Sequence, residues 1–158
     1  MNTVELLQYS LDTAFELLGL VTADLTQAQI DWQPPGVAPS IGSIYSHILT
    51  YADWFMQDLC IEQKPFPESV ESTIKEHGLR HIQGDIAALH ERAGKVKTKV
   101  QGWLSTLTPA DLDIKRDTTV GELNQGQMVE IYIIWHINVH CGEIAALKGC
   151  QGAKGYPW

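Results

Sequence analysis

The sequence predicts an all-α fold, a four-helix bundle that forms a single domain over residues 1–158. Four long segments carry apolar residues at steps of three and four, the spacing that gathers them on one face of a helix. No segment shows the alternation of apolar and polar residues that a convincing strand would have. With 158 residues and 44% hydrophobic content, the chain can bury one substantial core. Four helices with one apolar face each meet these conditions by packing as a bundle.

The first helix is predicted to begin after Asn2, because Asn2 and Glu5 have the spacing of a capping box. The pattern indicates an end near Asp24. A short helical turn is expected over Thr26–Ile30, before the break at Pro34–Gly36. The apolar stripe of the first helix comprises Val4, Leu7, Leu11, Phe15 and Leu18.

The second helix is predicted to begin after Ser40, a favourable N-cap, and to end before the proline-containing loop Cys60–Pro67. His47 lies on the flank of the apolar stripe of this helix. A histidine there can face the bundle interior while Ser46 and Asp53 face outward. The stripe comprises Ile41, Ile44, Ile48, Tyr51 or Ala52, Phe55 and Leu59.

The third helix has the most regular apolar periodicity of the chain, from Ile82 to Leu107. A short helix is expected before it, over Glu68–Glu76, and Thr108-Pro109 is expected to start a brief turn after it. Residues 113–126 lack helical periodicity and predict a long crossover loop with room for a short extended piece. The fourth helix then runs from about Gln127 to Lys148, where Gly149 is a natural stop.

Composition excludes several classes of protein. The chain has 19 acidic and 11 basic residues and a formal net charge of -8, which opposes a role in binding nucleic acid or an anionic membrane. No signal peptide or membrane-spanning run is present in the sequence. The three cysteines form no C-x-x-C pair, which argues against a disulfide framework. We therefore expect a cytoplasmic protein that acts on a small molecule.

The strongest functional signal is a pair of histidines, His136 and His140, in an otherwise apolar helical segment. Residues four apart share a helix face, so both imidazoles can converge on one point. His47 of the second helix offers a third imidazole. Three neutral imidazoles would leave one or two coordination positions for water or substrate, which is typical of a catalytic metal site. The alternative is that each ring is an ordinary core histidine satisfied by a carbonyl or a water.

Other histidines and motifs are less informative. His77 and His81 have the same spacing but are separated by Gly78 and surrounded by charge, and His90 is expected on the surface. The zinc-protease motif is not supported, because the residue after the first histidine is isoleucine and not glutamate. Ferritin-like centres need Glu-x-x-His on two helices, and here the order is reversed and no second copy exists. A mononuclear site is therefore favoured.

Three further residues are candidates for the site. Glu143 shares the face of His136 and His140 and could orient a ligand or act as a catalytic acid or base. Its alternative roles are a partner for Lys148 or a solvated residue near the helix end. Tyr51 and Tyr132 each lie one turn from a candidate ligand and could line the pocket, although core packing predicts the same pattern. Cys141 points away from His140 on a helical wheel and is excluded.

The chain resembles the DinB-like (YfiT-like) superfamily of helical bundles. The resemblance rests on Ser40–His47 with Trp54 seven residues later, on His136-x-x-x-His140 followed by Cys141–Leu147, and on the tail Gly155–Trp158. It implies a divalent metal, commonly nickel or zinc, on His47, His136 and His140. It also implies a homodimer. Members with known activity include transferases that use low-molecular-weight thiols, and presumed metal-dependent hydrolases.

These observations leave three functional hypotheses. The first is a metal-dependent enzyme, either a hydrolase or a low-molecular-weight-thiol transferase, in which the metal would activate a water or a thiol. The second is a non-catalytic, stress-associated protein that binds a metal or a ligand on the same scaffold. The third is a purely structural bundle with satisfied histidines.

Overall fold

The computed structural model describes residues 1–67, 84–156 and 158, and it shows four long helical rods beside a small two-stranded sheet. None of the helices in these residues is long and apolar enough to span a membrane. The predicted all-α bundle is confirmed. The rods are α1 (Thr3–Thr22); α3 (Ile41–Trp54), which continues as the π-helical segment π1 (Phe55–Ile61); α4 (Ile86–Leu104); and a last rod made of α6 (Gln125–Val129), the π-helical segment π2 (Glu130–Trp135) and α7 (His136–Cys150).

Local capping signals determine where the helices begin. The Asn2 side chain accepts from the backbone N–H of Glu5 (3.0 Å), while the Glu5 carboxylate accepts from the backbone N–H of Asn2 (2.8 Å). The Ser40 hydroxyl caps α3 in a similar way. Thr26 and Thr108 cap two short helices, α2 (Gln27–Asp31) and α5 (Pro109–Leu112). All four beginnings agree with the prediction, because a cap depends only on residues close in sequence.

The four rods form a square in which α1 and α3 each pack against α4 and α7. The predicted apolar stripes of α1 and α3 form much of the core. Ser46, which was expected to face outward, is fully buried, so that expectation is wrong. The physical reason is that α2, α4 and α7 all pack around α3, which leaves this helix little outer face. Asp53 is partly exposed and pairs with Lys99 on α4 (2.7 Å).

The second and last rods differ from the predicted regular helices because each contains a π-helical segment. The predicted fourth helix, Gln127–Lys148, extends in the structure from Gln125 to Cys150. Its wide turns end at Trp135, immediately before His136. Such π-helical turns are rare in proteins overall, and those that occur are often found at functional sites. The predicted helix over Glu68–Glu76 and the beginning of the third helix at Ile82 lie outside the described residues.

The predicted crossover loop contains a β-hairpin. Strand β1 (Lys115–Thr118) pairs antiparallel with β2 (Gly121–Asn124), so that Arg116 lies opposite Leu123. Gly121 has a φ of 109°, a conformation that favours glycine. Exposure alternates along β1, with Arg116 and Thr118 half-buried and the other two residues exposed. The hairpin was missed because neither strand carries an apolar face.

A buried lysine joins the last rod to the end of α1. The side chain of Lys148 is only 2% exposed, and its ammonium group donates to the Val21 carbonyl oxygen (3.0 Å) and to the Asp24 carboxylate (2.5 Å). The hydrogen bond from Lys148 holds the pKa of the Asp24 carboxyl below its ordinary value. Because the last four carbonyls of a helix have no partner within it, the ammonium group also caps the C-terminal end of α1.

We expect Lys148→Ala to lower the free energy of unfolding by about 2–4 kcal/mol, because it removes a buried stem and leaves the Val21 carbonyl without a donor. Lys148→Met, which keeps the volume of the stem, should cost less than Lys148→Ala. Asp24→Asn should cost below about 1 kcal/mol, because the carboxylate is mostly exposed. Urea denaturation at neutral pH measures all three values. An Asp24→Asn effect as large as that of Lys148→Ala would contradict the proposed capping role.

Candidate metal centre

Three half-buried histidines from two rods meet between α3 and α7. His47 lies in the middle of α3, His136 is the first residue of α7, and His140 follows one turn later. The Nε2 atom of His136 is 3.0 Å from Nε2 of His47 and 3.1 Å from Nε2 of His140. Ligand atoms of the three rings all lie within 4.8 Å of one another. The structure therefore brings together the three histidines that the sequence predicted as ligands.

The distances between these nitrogens fit a shared ion. Imidazole nitrogens lie about 2.0–2.1 Å from a zinc ion. Two nitrogens bound to one ion at that distance are then about 2.9–3.4 Å apart, from octahedral to tetrahedral geometry. The observed separations of 3.0 and 3.1 Å fall in this interval. Two of the three nitrogen pairs are therefore already at the spacing of shared ligands, and the third pair, His47 with His140, lies within 4.8 Å.

Hydrogen bonding among the rings alone does not explain the cluster. His140 Nδ1 lies 2.7 Å from the Glu143 carboxylate, so a neutral His140 carries its proton on Nδ1 and presents a lone pair at Nε2. If His136 Nε2 carries a proton, this N–H can donate a well-aligned hydrogen bond to His47 Nε2 or to His140 Nε2, but not to both. If His136 Nε2 carries no proton, its lone pair faces the lone pair of His140 Nε2. A cation shared by all three nitrogens removes this conflict, which favours the metal hypothesis over that of ordinary core histidines.

Burial keeps two of the rings neutral, the form that binds metal. Burial lowers the pKa of His136 to about 2, with further lowering by His140 and His47. Burial and the nearby His140 lower the pKa of His47 to about 4. A neutral imidazole presents a free lone pair at neutral pH, so neither ring has to lose a proton before it binds an ion.

Glu143 acts on the cluster through His140. Its side chain is 51% exposed and contacts His140 Nδ1. A carboxylate in this position fixes the ring orientation and raises the basicity of the other nitrogen. The alternative role of Glu143 as a partner for Lys148 is wrong, because Lys148 pairs with Asp24.

The two tyrosines take different positions. The ring of Tyr51 stacks on His136, with centroids 4.2 Å apart and planes 21° apart, and burial raises the pKa of its hydroxyl to about 12. Tyr132 lies in π2 and stacks on Phe55 (4.8 Å), while its hydroxyl is 3.4 Å from the Thr119 hydroxyl. Tyr51 therefore contacts a candidate ligand directly. The pocket-lining role of both tyrosines stays a prediction.

The remaining candidates lie apart from the cluster. Cys141 is fully buried, and burial raises the pKa of its thiol to about 12. His90 is exposed as predicted, with Nδ1 at 3.2 Å from the Tyr45 hydroxyl. His77 and His81 lie outside the described residues. Over the part of the chain that the structure describes, the three-histidine cluster is the one group of histidine, cysteine or acidic side chains close enough to hold an ion.

Sequence reasoning missed the aromatic contacts around the cluster. Phe55 and Tyr132 connect the two π-helical segments, and Phe66 packs against both rings at 6.2 and 5.5 Å. Arg116 of β1 lies over the Phe66 ring, 5.8 Å from its centroid. No sequence motif marks these residues, because the contacts join segments that are distant in the chain.

We expect the metal-free protein to lose stability as the pH falls from about 6.5 towards about 4. In this window the unfolded chain protonates His47 and His136, whose folded-state pKa values of about 4 and about 2 keep them neutral. The unfolded state then binds more protons than the folded state, so the free energy of unfolding decreases as the pH falls. The slope approaches the value for a difference of two bound protons between the two states.

Urea midpoints measured with a chelator across this range provide the test. His136→Asn should flatten the slope by about one proton, whereas the surface control His90→Asn should leave it unchanged. An unchanged slope in His136→Asn would show that the ring is not held neutral by burial.

Comparison with known proteins identifies the family. No curated protein matches the chain. The sequence model of the DinB superfamily matches residues 10–144, a range that includes all three clustered histidines and Glu143. This match covers most of the chain and agrees with the helical bundle that the structure shows. The chain therefore belongs to the DinB superfamily.

Proposed function

We propose that the chain is a divalent-metal-dependent enzyme that acts on a small molecule. The observation that carries the proposal is the convergence of three imidazole nitrogens from α3 and α7. His47, His136 and His140 would hold the ion. Nickel and zinc are the metals that we propose, because imidazole donors suit both, and availability decides between them.

An open coordination sphere supports catalysis over storage. Over the described residues, the cluster contains three histidines and no fourth imidazole, thiol or carboxylate. Glu143 is the nearest candidate for a fourth ligand, and its carboxylate is engaged at His140 Nδ1. A site with three protein ligands leaves a position for substrate, whereas structural zinc sites are closed by four.

The chemistry divides between the ion and the protein. A divalent ion on these nitrogens would supply Lewis acidity, which lowers the pKa of a bound water or thiol towards neutrality. Glu143 holds the proton of His140 at Nδ1 and keeps Nε2 free. The partly exposed Glu143 carboxylate can also exchange protons with solvent. Tyr51 fixes the ring plane of His136 by stacking.

Two reactions fit this arrangement, hydrolysis and transfer of a low-molecular-weight thiol to an electrophile. A protein thiol is a poor nucleophile here. Cys60 and Cys141 are buried, and burial raises the pKa of both thiols to about 12. Cys150 is exposed but lies ten residues beyond His140, about 15 Å along the helix axis. A thiol transferase on this scaffold would therefore take its sulfur from a soluble thiol.

The second candidate is a non-catalytic, stress-associated protein that binds a metal or a ligand. The partial burial of His136, whose Nδ1 atom is fully enclosed, favours it, because a well-enclosed ion exchanges slowly. It requires tight metal retention without turnover of any substrate. The homodimer and the cytoplasmic location stay predictions.

We expect protein purified without a histidine tag to retain about one nickel or zinc ion per chain. His47→Ala, His136→Ala and His140→Ala should each lose most of this metal, because two imidazoles form an incomplete site. His90→Ala is the matched control and should keep the wild-type metal content, because its ring lies outside the cluster. Elemental analysis after gel filtration gives the values. Full metal content in the triple alanine variant would reject the site.

Glu143→Gln should weaken metal binding by about tenfold and leave the fold intact, because the amide still meets His140 but loses its charge. The same variant should lower turnover of the productive substrate class. That class is found by incubating metal-loaded protein with bacillithiol- or mycothiol-type thiols and an electrophile, and separately with simple esters and amides. Ester turnover without thiol transfer would reject the transferase branch, and inactivity in every assay would favour the non-catalytic candidate.

A further inference from the structure

We propose that a pocket beside the metal centre binds an oxyanionic group of the organic substrate, and that Arg116 is the residue that recognises it. The inference rests on the proposed function, because it specifies the substrate class of that site. The pocket has a volume of about 660 Å³ and lies between Pro65–Pro67 on one side and strand β1 with Thr119 on the other. This volume accommodates a small organic molecule.

Arg116 is fixed in the wall of this pocket. Its guanidinium donates to the carbonyl oxygens of Leu59 and Lys64, and it lies over the Phe66 ring. Exposure alternates along β1, so Arg116 is half-buried, while the exposed Lys115 and Asp117 also line the pocket. A guanidinium held by two main-chain carbonyls and an aromatic ring loses little entropy when a ligand binds, so it is preorganised.

The charge of Arg116 is not neutralised within the described residues. Two carbonyl contacts use two of its five N–H donors and supply no negative charge. Three nearby acids are already paired with lysines: Asp58 and Glu62 with Lys64 (3.1 and 3.0 Å), and Glu122 with Lys115 (2.7 Å). Asp117 also lines the pocket, but it is exposed and forms no ion pair with Arg116. A half-buried cation without a counter-ion is costly in a folded protein, so an anion that reaches this position gains from pairing with it.

A row of ring contacts links the pocket to the candidate metal centre: Phe66 to Phe55 (6.2 Å), Phe55 to Tyr51 (6.4 Å) and Tyr51 to His136 (4.2 Å). The Thr119 hydroxyl in the pocket wall is 3.4 Å from the Tyr132 hydroxyl, and Phe66 packs against the Tyr132 ring (5.5 Å). Tyr132 precedes His136 by four residues in the same rod and lies within π2. A molecule anchored at Arg116 can therefore extend past Tyr132 towards the three histidines.

The walls define the chemical class of this molecule. Phe66 and two prolines supply an apolar surface, while the guanidinium supplies a planar set of donors. This combination fits a small molecule with an apolar or aromatic body and a carboxylate or phosphate group. The chain has a net charge of -8, so its overall field repels an anionic ligand. The positive charge of Arg116 therefore distinguishes this pocket from most of the surface.

Benzoate, phenyl phosphate and the neutral benzamide are the probes for this pocket. We expect the metal-free full-length chain to bind benzoate or phenyl phosphate at least about tenfold more tightly than benzamide in calorimetric titrations. Arg116→Gln should remove this preference. Arg92→Gln is the matched control, because Arg92 is also half-buried but donates to Thr50 on the other side of α3. Its affinities should stay within about twofold of wild type.

Since Arg116→Gln also loses two carbonyl contacts, amide chemical shifts of the wild-type chain give an independent readout. Benzoate should shift the resonances of Phe66 and Thr118 in metal-free protein. Stronger binding of phenyl phosphate than benzoate would support the pocket and assign it to a phosphate group. Equal binding of benzamide and benzoate, or shifts confined to the histidines, would overturn the proposal.

Metal content, measured on the same samples, separates the two proposals. Wild-type protein that binds benzoate at Phe66 but retains no metal would support the anion pocket and reject the metal enzyme. Protein that retains one ion per chain without a preference for anions would reject the pocket alone.

Discussion

The contact between α3 and α7 is the constraint on which the candidate site depends. One of the three clustered histidines lies on α3 and two lie on α7, so the nitrogens meet only if the two helices keep their rotation and translation. Fully buried residues on both sides, among them Ile48 and Ile137, fix that register. A rotation of either helix by one residue, about 100°, would move its imidazoles out of reach. The core therefore positions the site as well as stabilising the fold.

Burial keeps His47 and His136 neutral, and it also imposes an energetic penalty on the cluster. The same desolvation that keeps His47 and His136 neutral makes their polar atoms expensive to leave unpaired. The buried Nδ1 of His136 has no hydrogen-bond partner among the residues that the structure describes. An apolar core of the same volume would avoid this cost. A cation shared by the three Nε2 atoms would offset the part of this cost that arises where those atoms meet, which favours a ligand-binding role for the cluster.

Sequence alone predicted the features that depend on neighbours in the chain. The caps at Asn2, Ser40, Thr26 and Thr108 are local hydrogen bonds, and each helix begins where its cap predicted. The apolar stripes depend on helical periodicity, and those of α1 and α3 are buried. The pairing of His136 with His140 follows from the same periodicity. Their meeting with His47 does not, because it requires the packing of two rods, and only the family resemblance made it specific.

Three of the features that the sequence did not predict have one physical origin, which is tertiary packing. Ser46 was expected to be exposed, but three elements pack around its helix. In the sequence, Lys148 is a charged residue near the end of a predicted helix, but in the structure its ammonium group is buried against the end of α1. Arg116 lies in a segment without periodicity, and it gains its partners from a loop more than fifty residues earlier. In each case the deciding partner is far away in the sequence.

The π-helical segments explain why the two predicted pocket tyrosines differ. Tyr51 lies within the regular turns of α3, so the four-residue spacing from His47 places it correctly against the cluster. Tyr132 lies within π2, where the turns are wider, and the same spacing from His136 no longer describes its direction. Its ring instead meets Phe55 of π1. The wide turns thus direct the Tyr132 ring away from the histidines, towards Phe55 and the hairpin residue Thr119.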